Sequence, residues 1–224
     1  MTDALAQPEL AALLEDLHGR SESQVAGIDE YFRARAAAGD LSWDGMDEKS
    51  HAFFADKLVA LDRDKARFCH LLCMAIGARR VVEVGTSLGV STLYLAAAVK
   101  ATGGGVVIGT EHEEAKAVAA RATFAKAGLA DLIDLRVGDL RETLKDLEGP
   151  IDFVLVDIWV ETALPALKLI APHLRKGSVV VADNTAAVRG PYRDYFAFLA
   201  DSANGFSTMT LPFAGGLEMT VRVG

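Results

Sequence analysis

The chain has 224 residues and a formal net charge of −8, with 31 acidic residues against 23 lysines and arginines. This acidic balance, without a dense basic run, argues against nucleic acid or an anionic membrane as a partner. No apolar stretch reaches the roughly 18 residues of a membrane span, and the N-terminal segment is too polar for a signal peptide, so we expect a soluble, cytoplasmic protein.

The N-terminal third of the chain has a helical pattern of apolar residues. The pattern predicts three helices, over residues 8–20, 23–39 and 51–78. Gly39 and the stretch 41–47 interrupt it. Cys69 and Cys73 lie four positions apart on one helical face, and because no further ligands occur at a matching spacing, we interpret them as buried thiols and not as a zinc site.

One face of the first predicted helix is apolar and consists of Leu10, Leu13, Leu14 and Leu17. Such a face could cover a substrate site, pack against a second subunit, or lie on the core of its own chain. We therefore divide the chain into a helical extension at residues 1–45, which acts as a lid or in dimerisation, and a main domain at residues 46–224.

From residue 80 onwards, runs of β-branched residues alternate with helical segments. The runs predict strands over residues 80–84, 105–110, 132–137, 151–157 and 177–183. Helices are predicted between them, over residues 90–101, 113–127, 141–147 and 161–174. A last helix is expected over 191–202, and two strands at 206–213 and 217–223 flank a glycine-rich turn. The sequence thus predicts an α/β fold with a doubly wound, mostly parallel seven-stranded sheet and an antiparallel C-terminal hairpin.

Two predicted strands that should be neighbours end in acidic residues. VLVDIW (154–159) contains Asp157, and VVVADN (179–184) ends with Asp183 and Asn184. Neighbouring parallel strands lie about 4.8 Å apart, so these side chains should converge at one edge of the sheet. Two carboxylates and an amide oxygen suit a hard cation such as Mg²⁺. The alternative is that the aspartates cap the segments that follow them.

A glycine turn follows the first predicted strand. Gly85 directly after the strand allows a sharp turn and the close approach of a ligand, and the helix that begins near Gly89 presents free N–H groups and a positive dipole end. The spacing is G-x-x-x-G and not the G-x-G-x-x-G of dinucleotide folds, which disfavours a nicotinamide cofactor.

Two further acids follow the second and third predicted strands. Glu111 could accept hydrogen bonds from both hydroxyls of a ribose, or it could simply open the next helix. Asp139 could accept a hydrogen bond from an adenine amino group or cap the helix that follows it.

With these residues in view, the chain resembles class I S-adenosylmethionine-dependent methyltransferases over roughly residues 45–224. Within that fold it is most similar to the catechol and caffeoyl-CoA O-methyltransferase group. The resemblance rests on ordered motifs, namely GARRVVEVGTSLGVSTLYLA, the acid Glu111, VGD at 137–139, FVLVDIW, LRKGSVVVADN and LPFAGGLEMTV.

The resemblance implies an O-methyltransferase that transfers a methyl group from S-adenosyl-L-methionine to a hydroxyl of a small aromatic acceptor with vicinal oxygens. It implies that Mg²⁺ or another divalent cation chelates those oxygens, and that the protein forms a homodimer. The implied cofactor-binding residues are Glu83, Gly85, Thr86, Ser87, Gly89, Ser91, Glu111, His112, Asp139, Asp157 and Trp159. Among these, the residues of the glycine turn would line the methionine moiety, Glu111 would hold the ribose, and Asp139 with Trp159 would flank the adenine. The implied metal ligands are Asp157, Asp183 and Asn184, and Asp157 is the implied catalytic residue.

The chain departs from this group at one position of the motif. Catechol-type enzymes carry a lysine that serves as the base directly after D-x-W, and this chain has Val160 there; Ile158 also differs from the usual His or Ala. Deprotonation must therefore come from the metal, from water or from another group. Two alternatives stay open: a metal-independent class I methyltransferase acting on nitrogen or oxygen, and a non-catalytic methyltransferase-like binding module.

Overall fold

The computed structural model describes residues 4–40, 47–187 and 189–224. Its centre is a seven-stranded sheet with the order β3-β2-β1-β4-β5-β7-β6. The strands are β1 (Arg80–Val84), β2 (Val106–Glu111), β3 (Ile133–Val137), β4 (Ile151–Val156), β5 (Leu174–Asp183), β6 (Phe206–Leu211) and β7 (Leu217–Arg222). Strands β1 to β5 are parallel, whereas β7 pairs antiparallel with both β5 and β6. The predicted fold class is confirmed.

Nine α-helices surround this sheet within the described residues. They are α1 (Pro8–Glu22), α2 (Val25–Ala37), α3 (Glu48–Phe54), α4 (Arg63–Ala75), α5 (Val90–Ala101), α6 (Glu114–Lys126), α7 (Leu140–Thr143), α8 (Val160–Ile170) and α9 (Arg193–Ala200). Apolar clusters fill both faces of the sheet, and the strand residues are buried because helices cover both sides. In the described part of the chain, no helix combines the length and the apolar character that crossing a bilayer requires.

The prediction of one helix over residues 51–78 is wrong, because the structure has two helices there with a non-helical segment between them. The chain leaves helical geometry between residues 55 and 62, and α4 begins only after Asp62. The carboxylate of Asp62 accepts hydrogen bonds from the backbone N–H groups of Asp64 and Lys65 at 2.9 and 3.4 Å, which is the geometry of an N-cap. Apart from Asp47, the predicted break at 41–47 lies outside the described residues.

Two of the later helices are shorter than predicted. Helix α7 covers only Leu140–Thr143, although Leu144 and Leu147 beyond its end are still buried. Helix α8 ends at Ile170, and a single 3-10 turn at Ala171–His173 follows, where Pro172 has no backbone N–H to donate. Strand β5 therefore starts earlier than predicted, at Leu174.

The apolar face of α1 packs inside its own chain. Its four leucines, Leu10, Leu13, Leu14 and Leu17, are buried in the same cluster as residues of α5 and β1. His18 of α1 also makes a hydrogen bond of 3.0 Å to the hydroxyl of Tyr94 on α5. This face therefore offers no surface to a second subunit, and both the homodimer and the division of the chain at residue 45 stay predictions.

Candidate functional site

The register of the central strands brings three of the predicted site residues to one level. Val84 at the end of β1 is paired with Val156 of β4, and Val156 is paired with Ala182 of β5. The next residue along each strand is Gly85, Asp157 or Asp183 respectively, so these three lie side by side at the carboxyl edge of the sheet. In open α/β sheets this edge is where ligands bind.

The glycine turn touches Asp157 directly. Gly85 has a φ of +95°, and a Cβ added to it would lie 2.1 Å from the carbonyl oxygen of Asp157. Gly89, with a φ of +87°, precedes the first residue of α5, and a Cβ there would lie 2.3 Å from the ring of Phe124. Only glycine fits at these two positions, because a side chain would be both strained and blocked.

Glu83 lies beneath the turn and is fully buried. Its Oε2 accepts hydrogen bonds from the hydroxyls of Thr86, at 2.9 Å, and Thr92. Burial raises the pKa of Glu83, and the hydrogen bonds from Thr92 and Thr86 oppose that rise. Glu83 thus ties the end of β1 to both the turn and α5, while its Oε1 has no hydrogen-bond partner among the described residues.

Glu111 closes the turn from the side of β2. Its Oε2 accepts a hydrogen bond of 2.7 Å from the backbone N–H of Ser87, and its Oε1 accepts one of 2.8 Å from the N–H of Glu113. Ser87 has a left-handed φ of +49°, which turns its N–H toward this carboxylate. The acid predicted to hold a ribose therefore lies against the glycine turn, and the neighbouring His112 is exposed.

Asp139 and Trp159, the two predicted adenine neighbours, lie at the starts of α7 and α8. Asp139 caps α7 by accepting a hydrogen bond of 2.9 Å from the N–H of Arg141, and its ion pair with the Arg141 side chain lowers its pKa to about 2. Trp159 is 38% exposed and packs edge-on against Phe54 of α3, with ring centroids 5.2 Å apart. Asp139 is therefore the N-cap of α7, and a contact between Asp139 and adenine stays a prediction.

Asp183 pairs with a residue that the sequence analysis missed. The ammonium group of Lys65 on α4 lies 2.5 Å from Asp183 Oδ1, and both side chains are buried, with 4% and 6% of their surface exposed. The amide of Asn184, whose φ is +57°, donates a hydrogen bond of 2.9 Å to Asp183 Oδ2. Both carboxylate oxygens of Asp183 therefore already have partners.

The acids at this edge affect one another's ionisation. Burial raises the pKa of Asp157 well above its usual value, the negative charges of Asp183 and Glu83 add to this rise, and the positive charge of Lys65 opposes it. Burial also raises the pKa of Asp183, and Lys65 counteracts it by hydrogen bonding and by charge. Lys65 thus acts as the local counter-ion of both acids.

The predicted divalent metal does not fit this arrangement. Among the residues that the structure describes, no three His, Cys, Asp or Glu side chains are grouped so that they could hold a metal ion. The nearest candidate set is Asp157, Asp183 and Asn184, and there Asp183 is engaged by a cation and by an N–H donor. A metal at Asp183 would have to displace the Lys65 ammonium, so the Mg²⁺ prediction is not confirmed.

A loop of the N-terminal region lies over the glycine turn. Residues 58–61, which we call the covering loop, line a small pocket together with residues 85–88 and Asp157. The backbone N–H of Leu58 donates to Gln24 Oε1 at 3.1 Å, and that of Ala60 donates to Ser21 Oγ at 3.0 Å. The junction of α1 and α2 therefore holds the covering loop in place. The apolar periodicity of this segment predicts a helix, so the contact could not be foreseen from the sequence.

Comparison with known proteins agrees with this geometry. Residues 82–185 match a protein family described as a methyltransferase domain. A catechol O-methyltransferase of Mycobacterium tuberculosis is 36% identical over 133 residues, which cover 59% of this chain and 59% of that protein. Caffeoyl-CoA O-methyltransferase 1 of Zea mays is 27% identical over 157 residues, with coverage of 64% and 60%.

A solved structure shares the fold. It is that of the O-methyltransferase TomG from Streptomyces achromogenes in complex with S-adenosylmethionine, which superposes with a TM-score of 0.69 at 25% identity and covers 80% of this chain and 92% of that one.

Residues 82–185 are thus similar to a methyltransferase domain, and the fold of this chain is similar to that of a solved O-methyltransferase. Its relatives are catechol and caffeoyl-CoA O-methyltransferases, so the resemblance read from the motifs is confirmed. The chain spans about three fifths of the length of these curated relatives.

Proposed function

We propose that this chain is an S-adenosylmethionine-dependent O-methyltransferase that methylates a hydroxyl of a small aromatic acceptor. The observation that carries this proposal is the contact between the glycine turn at Gly85 and Asp157, at the edge of the sheet where Asp183 also lies. The similar proteins agree with it: one is a catechol O-methyltransferase, and another, TomG, is an O-methyltransferase in complex with S-adenosylmethionine.

The residues present fit the proposed cosubstrate. The N-terminus of α5 follows the glycine turn directly, and the Glu111 carboxylate, which accepts from the N–H groups of Ser87 and Glu113, lies beside the turn. Trp159 exposes part of its ring next to this edge, as an adenine platform requires. We assign these residues, together with the rest of the cofactor-binding set predicted from the sequence, to S-adenosylmethionine.

In the proposed reaction the acceptor oxygen forms a bond to the methyl carbon while the bond from that carbon to the sulfonium sulfur breaks. The bonding electrons stay on sulfur, which leaves S-adenosylhomocysteine, and the hydroxyl proton passes to water or to a base at the site. The protein contributes alignment and the exclusion of water. Asp157 is the proposed catalytic residue, as the resemblance implies. Its N–H donates a hydrogen bond of 3.0 Å to the Val84 carbonyl, and its backbone lies against the glycine turn.

The second candidate is methyl transfer without a divalent metal. Chelation by Mg²⁺ is what the resemblance implies, and it would favour an acceptor with two vicinal oxygens. The ion pair between Lys65 and Asp183 favours the metal-independent version, because it gives the acidic edge a positive charge from the protein itself.

Cosubstrate binding tests the proposed function. Titration calorimetry should detect S-adenosylmethionine binding to the wild-type protein, and Glu111→Gln should weaken it by about 10- to 100-fold, which corresponds to the loss of charge-assisted hydrogen bonds of about 1.5–3 kcal/mol. Glu114→Gln, an exposed acid three positions further on, is the matched control and should bind as the wild type does. A wild-type protein that shows no binding at millimolar cosubstrate would exclude the function.

Transfer to acceptors is the second measurement. Methyl transfer from radiolabelled S-adenosylmethionine should be detected with at least one member of a panel of simple phenols, catechols and hydroxycinnamoyl esters. Binding of the cosubstrate without transfer to any of them would favour the binding-module alternative.

A further inference from the structure

Lys65 is a buried basic residue. Lysine is almost never fully buried unless it is paired, and here the side chain is only 4% exposed. Lys65 lies in the first turn of α4, where the cap formed by Asp62 fixes the backbone. Its ammonium group crosses to the sheet and meets Asp183 Oδ1 at 2.5 Å.

The position of this charge is the position at which the sequence predicts a metal. The two acids and the amide of that predicted site are Asp157, Asp183 and Asn184. Lys65 pairs directly with one of these three residues, Asp183. A lysine ammonium is a compact, strongly hydrated point charge with three donors, and in these respects it resembles a small metal ion.

A divalent metal ion and the Lys65 ammonium would repel each other strongly at this edge of the sheet. A divalent ion bound to Asp183 would approach the Lys65 ammonium to within a few ångströms, and in a buried site their repulsion is poorly screened. Asn184 also directs its amide N–H at Asp183 Oδ2, which occupies one of the two acceptor positions of the second oxygen. The implied metal therefore conflicts with two observed contacts, the Lys65 ammonium at Asp183 Oδ1 and the Asn184 amide at Asp183 Oδ2.

We propose that the ammonium group of Lys65 takes the place of the divalent metal at the edge formed by Asp157, Asp183 and Asn184. This proposal rests on the proposed function and deepens it: Lys65 supplies the positive charge beside the acceptor site, and methyl transfer needs no added metal. Lys65 is a positioning residue here, because it acts through Asp183.

Metal binding, measured apart from activity, tests whether Lys65 takes the place of a metal. Mn²⁺ is titrated by calorimetry, and by the loss of its free electron paramagnetic resonance signal, into the wild type, Lys65→Ala and the double variant Lys65→Ala with Asp183→Asn. Lys145→Ala, which removes an exposed lysine on the surface, is the matched control. The wild type and the control should not bind millimolar Mn²⁺. Lys65→Ala should bind one equivalent at least about tenfold more tightly, and the double variant should lose it.

Two results would overturn the proposal. One is a wild-type protein that binds one equivalent of Mn²⁺ in a way that Asp183→Asn abolishes, because metal and lysine would then coexist. The other is a folded Lys65→Ala variant that gains no affinity for Mn²⁺. If Lys65→Ala does not fold, the wild-type titration decides alone: Mn²⁺ binding that depends on Asp183 overturns the proposal, and its absence supports it. S-adenosylmethionine is titrated into the same wild-type sample, so failure of the proposed function is detected separately.

Discussion

Replacing Gly85 with alanine tests the contact on which the candidate site depends. The added Cβ would lie 2.1 Å from the carbonyl oxygen of Asp157, and that residue is held by the hydrogen bond from its N–H to Val84. The backbone at position 85 also has a φ of +95°, which strains any L residue. Such a backbone costs about 1–2 kcal/mol and overpacking typically costs about 1–3 kcal/mol, so we expect the free energy of unfolding to fall by about 2–5 kcal/mol.

Gly77→Ala is the matched control for this variant. Gly77 follows α4 with a φ of +64°, but nothing lies within 4 Å of the Cβ it would receive. It should therefore show only the backbone cost of about 1–2 kcal/mol. Urea denaturation followed by circular dichroism measures both variants, and calorimetry with S-adenosylmethionine should show that only Gly85→Ala loses binding. Equal destabilisation of the two variants would refute the tight contact at position 85.

Three further predictions concern the scaffold. Asp152→Ala should lower the free energy of unfolding by about 1–3 kcal/mol, because it leaves the N–H groups of Arg79 and Arg80 without their acceptor; urea denaturation measures this. Leu17→Ala should cost about 2–5 kcal/mol by opening a cavity in the core, and the loss should not vary with protein concentration. Burial, assisted by nearby positive charge, lowers the pKa of His18 below its usual 6.5. Stability should therefore fall as the pH drops below about 6.5, by at most about 1.4 kcal/mol per pH unit, and His18→Gln should remove that part of the slope.

Each of these predictions has a result that would contradict it. Asp152 lies at the opposite end of the strands from the candidate site, so altered S-adenosylmethionine binding in Asp152→Ala would contradict its purely structural role. A Leu17→Ala transition that shifts with protein concentration would place this residue in an intermolecular interface. An unchanged stability slope in His18→Gln would show that this histidine does not contribute to the pH dependence.

The fold and the glycine turn could be predicted because their signals are local. A β-branched run that ends at a glycine and is followed by a helix describes β1, the turn at Gly85 and α5 without reference to distant residues. The position of the acidic strand ends could also be predicted, because neighbouring parallel strands bring Asp157 and Asp183 to one level. What the pattern could not supply is the partner of each acid.

Lys65 shows why that partner was missed. It is separated from Asp183 by 118 positions, and no local rule links a lysine near the start of one helix to an aspartate at the end of a strand. One signal was available: Lys65 precedes Cys69 and Cys73 at intervals of four, which places it on the buried face of α4. A lysine on an apolar face needs a buried partner, and the unpaired acids of the sheet edge were the natural candidates.

At residues 55–62 the local pattern predicts a helix that the structure does not contain. Apolar residues continue through this segment at helical spacing, yet Asp62 caps a new helix and the residues before it run non-helically over the glycine turn. Capping by one side chain, and hydrogen bonds to Ser21 and Gln24 on another element, outweigh the local periodicity. Asp139 is a second case in which a local contact sets the role of a residue: its carboxylate accepts a hydrogen bond from the N–H of Arg141 and so caps α7.

The covering loop has a kinetic consequence. The bonds from Leu58 to Gln24 and from Ala60 to Ser21 tie this loop to α1 and to the N-cap of α2, so we expect a methionine moiety bound at the turn to leave faster when these bonds open. A double Ser21→Ala and Gln24→Ala variant should release S-adenosylhomocysteine faster in stopped-flow experiments while its chemistry stays the same, so turnover limited by product departure would increase.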